Sequence, residues 1–324
     1  MTYSVAIRTL GTAGDKFRQE LESIKNQTIQ PDKVIIYIAE GYPRPDFQIG
    51  DEEYIWIKKG MMIQRLLPYD EIDNNLILFL DDDVELATDS VERMIMTLEE
   101  NHLDAIGADV FQNYEMSFGL KLYSSLVNLV TPHFSNKWAF RIKRNGSFSY
   151  KNNPHKDLYP SQSCAGPAWM IKKSVYSKLR YQDELWLESF GFPYCEDQLE
   201  TYKIYKNGFK LGILYNSGIH NLDAGTESVN YHKDKNKIYI RTKSIFAIWW
   251  RTIFLTSNST SEKILSAICF FAKILYSIFP IFIFSLISFS VYPISQFFKG
   301  NIDAWKLVHS SKFKSLHPYV IEKV

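Results

Sequence analysis

A chain of 324 residues is long enough for one large α/β domain with an appendage, or for two modest domains. Its hydrophobic content of 46% and charged content of 23% are those of a folded protein, and a net charge of +1 argues against a dedicated nucleic-acid binder. The near-neutral sum conceals an asymmetry. Residues 241–324 carry ten Lys/Arg against three Asp/Glu, whereas residues 1–240 carry 27 against 33; an acidic body with a basic tail is the pattern of a chain that faces a membrane.

Strand and helix signals alternate through the first hundred residues. Ser4–Leu10 (SVAIRTL) is a short β-branched, apolar run. Asp15–Asn26 has Phe17, Leu21 and Ile24 at helical spacing, with Asp15 as the expected N-cap. Lys33–Ala39 and Glu53–Lys58 read as further strands, Met61–Leu67 as the start of a short helix, Leu76–Leu80 as a fourth strand and Asp89–Asn101 as a helix. This alternation predicts a mostly parallel sheet with right-handed crossovers, whose ligands bind beyond the carboxyl ends of the strands.

The middle of the chain is less regular. Ala105–Val110 is a candidate strand, and residues 111–163 are polar and aromatic, suggesting loops or an irregular insertion. Ala168–Ile171 reads as a strand, Lys173–Leu179 as a helical turn, Glu196–Tyr205 as a helix and Lys210–Leu214 as a strand leading to His220. From Ser244 the character changes. Ser244–Leu255 is aromatic-rich, and after a polar break and Ile264–Ala272, residues 274–298 run without a charge, beyond the usual threshold for a spanning helix. Pro280 and Pro293 are expected to kink this run. A buried hydrophobic helix pair is the alternative to membrane insertion; insertion itself could be one span or a re-entrant hairpin.

Cys164, Cys195 and Cys269 are too few and too scattered for a disulfide framework or a zinc site, which points to a reducing compartment. The first residues, MTYSVAIRTLGTAG, lack the basic region and apolar core of a signal peptide, so the body is expected on the cytoplasmic side.

The unusual local feature is LILFLDDDVEL, residues 76–86, where an apolar strand runs into three aspartates. Side by side, the three repel, and none gains from unpaired burial. Three explanations compete: a solvated turn, a phosphatase-type nucleophile, or carboxylates that hold a divalent metal against a diphosphate. Glu85 in the fifth position and a place on the fourth strand speak against the phosphatase pattern. Hard oxygen ligands suit Mg²⁺ or Mn²⁺.

Over residues 3–245 the chain resembles the family 2 inverting glycosyltransferases, which have the GT-A fold. The resemblance rests on SVAIRTL, SIKNQTI and KVIIYIAEGY, on KKGMMIQR (58–65), on the DxD-like LFLDDDVEL, on CAGPAWMIKKSVY (164–176), on CEDQLETYKIYKNGFKLG (195–212) and on His220, in the family's order. It implies a GT-A domain over residues 1–243 and a membrane-associating helical region over 244–324. It also implies roles for individual positions. Asp83, with Asp81 and His220, would bind Mg²⁺ or Mn²⁺, with His232 a less favoured substitute for His220, and Asp81 and Asp82 would contact the metal, its waters or the donor ribose. Thr9, Leu10, Glu40, Lys59, Gln64 and Arg65 would line the nucleotide site. Asp197 would be the general base that takes the acceptor proton, and Glu196 would position acceptor or base.

Glu40 stands where many relatives have an Asp pair, so uracil and guanine both remain open as the base. The Gln-x-x-Arg-Trp signature of processive synthases is absent, which favours a single transfer. The expected function is metal-dependent transfer of one sugar from a UDP- or GDP-sugar to a glycan or lipid-linked acceptor, as in polysaccharide biosynthesis. The expected place is the cytoplasmic face of the membrane, held by the C-terminal region. A sugar nucleotidyltransferase of related fold and a non-catalytic, membrane-tethered nucleotide-sugar binder are the rivals.

Overall fold

The computed structural model describes residues 2–110, 119, 130–222 and 236–321. The rest of residues 111–129, part of the expected insertion, and His232 lie outside the described residues. The central sheet has eight strands in the order β3-β2-β1-β4-β10-β6-β11-β9. These are β1 (Tyr3–Thr9), β2 (Lys33–Ala39), β3 (Glu53–Ile57), β4 (Leu76–Asp81), β6 (Ala105–Ala108), β9 (Leu158–Ser161), β10 (Ala168–Lys172) and β11 (Leu211–Leu214). Strands β3, β2, β1 and β4 pair in parallel, as the strand–helix alternation predicts. Strand β10 departs from that scheme, running antiparallel between β4 and β6. Tail-ward of it, β11 is parallel to β6 and antiparallel to β9, while β7 (Phe140–Ile142) and β8 (Phe148–Tyr150) form a separate antiparallel pair.

Side chains of alternate parity leave the two faces of the sheet. Val5, Ile7, Leu76, Leu78 and Leu80 pack on one face with Phe17, Leu21 and Ile24 of helix α1 (Asp15–Lys25) and Val91, Met94 and Leu98 of α3 (Ser90–Glu100). Ala6, Tyr37, Ile77 and Phe79 face the other way, onto Trp169 and Met62, the latter from α2 (Met61–Arg65). That second core continues without interruption through Leu199 of α5 (Glu196–Lys206), which follows the short α4 (Lys173–Lys178), and into the C-terminal helices. Phe246 and Trp249 of α6 (Lys237–Trp249), Phe270 of α7 (Thr260–Ile287) and Ala304 of α8 (Tyr292–His309) belong to it. The expected boundary between residues 243 and 244 thus falls inside α6, and both sides of it share one core.

A buried ion cluster joins the same parts. Glu184, on the 3₁₀ segment Tyr181–Phe190, accepts from Lys203 of α5 at 2.9 Å and from Arg251 at 2.8 and 3.0 Å. Arg251 lies in the π turn that follows α6 and also donates to the carbonyl of His317 at 2.7 Å.

Two local expectations change. Gly14, at φ 61°, takes the cap position of α1 and Asp15 enters the first turn, where its charge complements the helix dipole. The uncharged run 274–298 covers the second half of α7 and the start of α8. Chain reversal is set by Phe289 at φ 49°, and Pro293 stands in the first turn of α8, where a missing N–H is tolerated.

Candidate active site

Strand order reverses about β1, which lies between β2 and β4, so the crevice past the carboxyl ends of β1 and β4 is where an open α/β sheet binds ligands. Thr9 and Asp81 end these two strands, and Asp82 and Asp83 form the turn into β5 (Val84–Leu86). The Thr9 hydroxyl donates to Asp82 and accepts from the Gly11 amide at 2.6 Å. Strand β5 pairs antiparallel with β12 (Ile219–Asn221), placing His220 opposite Glu85, and the Leu222 amide donates to the Asp83 carbonyl at 2.8 Å.

The centre of the crevice is Arg65, 12% exposed at its side chain. Its Nη1 donates to Asp197 Oδ1 at 2.9 Å and its Nη2 to Asp81 Oδ2 at 3.4 Å. Glu196 and Glu200 lie 3.9 and 4.0 Å from the same guanidinium. Arg8, a charge near the end of the fully buried β1, donates to Asp81 Oδ1 at 2.8 Å and to the Gly166 carbonyl at 3.1 Å. The Gly166 amide in turn donates to Asp197 Oδ2 at 3.1 Å. Both oxygens of Asp197 are therefore aimed, one by Arg65 and one by backbone.

Gly166 has no room for a side chain. A Cβ there would stand 2.4 Å from Arg65 Nη1 and 2.4 Å from Asp197 Oδ1. The loop carrying it is tied to α5 through Thr201, whose hydroxyl accepts from the Cys164 amide at 3.1 Å and lies 2.6 Å from the Ser163 hydroxyl.

Two guanidiniums thus face four carboxylates, and the acids divide accordingly. Burial pushes Asp81 up, but Arg65 and Arg8 outweigh it and hold the carboxyl below the usual range. Burial, followed by the Asp197 charge, raises Glu196 against the pull of Arg65. Burial raises Glu200, 1% exposed and with neither oxygen hydrogen-bonded, to about 7 despite Arg8 and Arg65. Beneath the aspartate turn, buried Glu20 of α1 is raised well above the carboxylate range by burial, then by Asp82, Asp81 and Asp83, with the Val84 amide opposing.

The residues expected at the nucleotide divide into two groups. Leu10 and Glu40 are exposed at the ends of β1 and β2. Lys59 is exposed and donates to the Tyr42 hydroxyl at 2.6 Å. Gln64 is turned inward to the Thr9 carbonyl at 3.1 Å, and Arg65 is surrounded by acids. The amides at the start of α2 are also occupied, since Glu188 accepts from Met62 N at 2.8 Å and Ile63 N at 3.3 Å.

The expected metal trio is not gathered. Asp81 is committed to two guanidiniums, exposed His220 stands across from Glu85, and among the described residues no group of three or more His, Cys, Asp or Glu side chains is arranged to hold a metal ion. The donor chemistry of Asp82 and Asp83 still fits a hard divalent cation, because Mg²⁺ is commonly held by one or two carboxylates plus substrate phosphates.

Arg8, Gly166, Glu200 and Glu20 carry weight that the sequence does not announce. The one visible signal is Arg8, whose charge interrupts a buried strand.

Residues 58–180, which include Arg65, the aspartate turn and Gly166, match the family described as Glycosyl transferase family 2. No curated protein matches the chain. Among solved structures it is similar to TarS of S. aureus, with 12% identity, 84% of this chain and 43% of that chain covered, and a TM-score of 0.48. For TarS 1–349 the values are 12%, 84%, 71% and 0.46. For GalNAc-T7 with UDP, GalNAc and Mn²⁺ they are 10%, 83%, 54% and 0.47. The chain thus spans about half the length of TarS and GalNAc-T7.

Proposed function

We propose that this chain is an inverting glycosyltransferase that moves one sugar from a UDP- or GDP-sugar to an acceptor hydroxyl, with Asp197 as general base. The observation that carries this reading is the aim of Asp197. It lies in the first turn of α5, its two oxygens fixed by Arg65 and Gly166, at the edge of the crevice where the donor would lie. A carboxylate so held keeps a defined direction toward an incoming hydroxyl.

The donor would occupy the crevice beside Thr9, Leu10 and Glu40, its phosphates near Asp82 and Asp83. These two would hold Mg²⁺ or Mn²⁺, which when bound offsets the charge of the departing diphosphate. Arg8 and Arg65 keep Asp81 ionised and orient it, and Glu196 shapes the acceptor side.

Membrane attachment by α7 is part of the same proposal, and its support is inverted amphipathicity. The buried positions of α7 include Ser266, Lys273, Ser277 and Ser285, while Leu275 (69% exposed), Phe279 (61%), Ile268 and Leu286 face outward. A water-soluble helix does the reverse. At 28 residues α7 is about 42 Å long, enough to cross a bilayer core. A cytoplasmic body and a lipid-linked acceptor fit this arrangement.

Purified full-length protein with Mn²⁺ or Mg²⁺ and a panel of nucleotide-sugars should release UDP or GDP slowly without acceptor. Failure to bind any nucleotide-sugar would overturn the transferase reading.

A further inference from the structure

The direction in which α7 meets lipid is set by what covers its other side. Its bare residues Ile264, Ile268, Leu275, Phe279 and Leu286 fall at steps of four and seven, so they form one face along the whole helix. Lys273, the one charge after Lys263, is buried on the opposite face.

That opposite face rests on the body at mid-helix. Ser266 donates to the Arg144 carbonyl at 3.2 Å, and Lys273, at the midpoint of α7, donates to the Asn145 carbonyl at 3.4 Å. Both carbonyls belong to the turn that joins β7 to β8, and the Arg144 side chain is exposed. Trp249 of α6 donates to the same Arg144 carbonyl at 2.9 Å and stacks on Phe270 with ring centroids 3.9 Å apart. Helix α8 is in turn fastened to α6. A Cβ on Gly300 would stand 2.8 Å from the Tyr239 carbonyl, and the Tyr239 hydroxyl donates to Asp303 at 3.0 Å. Tyr292, three residues past the reversal at Phe289, donates to Asn236 at 3.4 Å, so the hairpin tip is level with exposed Lys237.

The length of α7 suffices for crossing a bilayer, but its packing does not allow it. Standing upright, its midpoint would carry the Arg144–Asn145 turn to the bilayer centre, and exposed Lys237 and Lys299 would enter hydrocarbon with α6 and α8. Charges are most costly there. Lying flat puts only the bare face into lipid.

We propose that α7 lies in the plane of the membrane, its Ile264–Leu286 face sunk into one anionic leaflet, and crosses nowhere. The inference rests on the proposed attachment by α7 and adds its direction. Residues 241–324 carry ten Lys/Arg against three Asp/Glu, which anionic headgroups complement. A second copy of the chain on the same face would set two basic regions against each other.

The test uses full-length protein on vesicles of phosphatidylcholine and phosphatidylglycerol. A fluorophore is carried on Ile264→Cys, Leu275→Cys or Leu286→Cys in a Cys195→Ser, Cys269→Ser background, since Cys164 is buried. Thermal unfolding of each labelled variant checks folding, and lipids with a nitroxide near the headgroup or near the chain end read depth. All three sites should be quenched about twofold or more better by the shallow nitroxide. Binding to phosphatidylcholine alone should be about fivefold weaker or more; equal binding would overturn the anionic leaflet. Neighbouring sites are about 16 Å apart along the helix. An upright helix would therefore show Leu275→Cys quenched most by the deep nitroxide and the other two by the shallow one. That result would overturn the in-plane proposal and leave membrane attachment standing. Vesicle-bound protein with no quenching at any site would overturn the role of α7 in attachment. A soluble dimer that binds neither vesicle would identify a second copy as the cover and overturn attachment itself.

Discussion

Arg65 Nη1 lies 2.9 Å from Asp197 Oδ1, joining the end of one short helix to the start of another 132 residues away. The same guanidinium reaches Asp81, so a single side chain connects the aspartate turn to the proposed base. Arg is suited to this because its planar fork can serve two carboxylates at once, whereas Lys offers a point charge. Arg65→Lys is expected to lower the transfer rate about 100-fold, within the range associated with a positioned general base, while donor affinity changes little. Asp197→Asn should likewise retain donor binding and lose transfer. Steady-state kinetics with donor binding measured separately decides both; if Asp197→Asn still transfers, the base is elsewhere.

Gly166→Ala introduces a single methyl group where Arg65 and Asp197 converge. Its Cβ would stand 2.4 Å from each, so one of them must move. The expected result is a loss of transfer comparable to Arg65→Lys, with a stability loss of about 1–3 kcal/mol, as for overpacked sites. Urea unfolding alongside kinetics would show whether the activity loss exceeds what destabilisation explains.

Glu200 links stability to pH. Its carboxyl sits near 4.5 when unfolded and near 7 in the fold, so the folded state holds the extra proton between those values. Stability is then fully present below about pH 4.5 and declines as pH rises through about 7, by on the order of 3 kcal/mol in all. Glu200→Gln should flatten that decline and raise the melting temperature at pH 8 more than at pH 5, in protein without metal or nucleotide. A variant with the wild-type pH profile would remove Glu200 as the source.

Glu184→Ala should uncouple the C-terminal helices from the body. It strands Lys203 and Arg251, both buried, and removing one member of such a cluster typically costs about 3–5 kcal/mol. Thermal unfolding should fall sharply. Replacing all three residues with apolar ones of similar size should recover much of the loss.

Leu275→Arg together with Phe279→Arg places two charges on the exposed apolar face of α7. If that face meets lipid, the variant should move from the membrane pellet to the soluble fraction on fractionation. Retention in the pellet would remove α7 as the anchor.

Much of the fold is legible in the chain. β-Branched runs alternate with helical periodicity, so β1 to β4 and α1 to α3 fall within a residue or two of where the pattern puts them, because burial on a sheet face imposes a period of two and on a helix a period near 3.6. The antiparallel insertion of β10 is not legible, since four buried residues in a row look alike in either direction. The same limit hides the joint core of the body and the C-terminal helices, whose partners are far apart in sequence.

In the candidate site, composition marks Asp81–Asp83 and Glu196–Asp197, because clustered acids are conspicuous wherever they lie. Their division of labour is decided only by tertiary structure. Asp81 pairs with Arg8 and Arg65, Arg65 also reaches Asp197, and Gly166 matters because two side chains meet where its own would be. Local sequence records which groups are ionisable and which segments must be buried. It does not record which charges face one another across the crevice, because electrostatic partnership depends on distance in space, and here that distance is set by strands and helices that meet only in the folded chain.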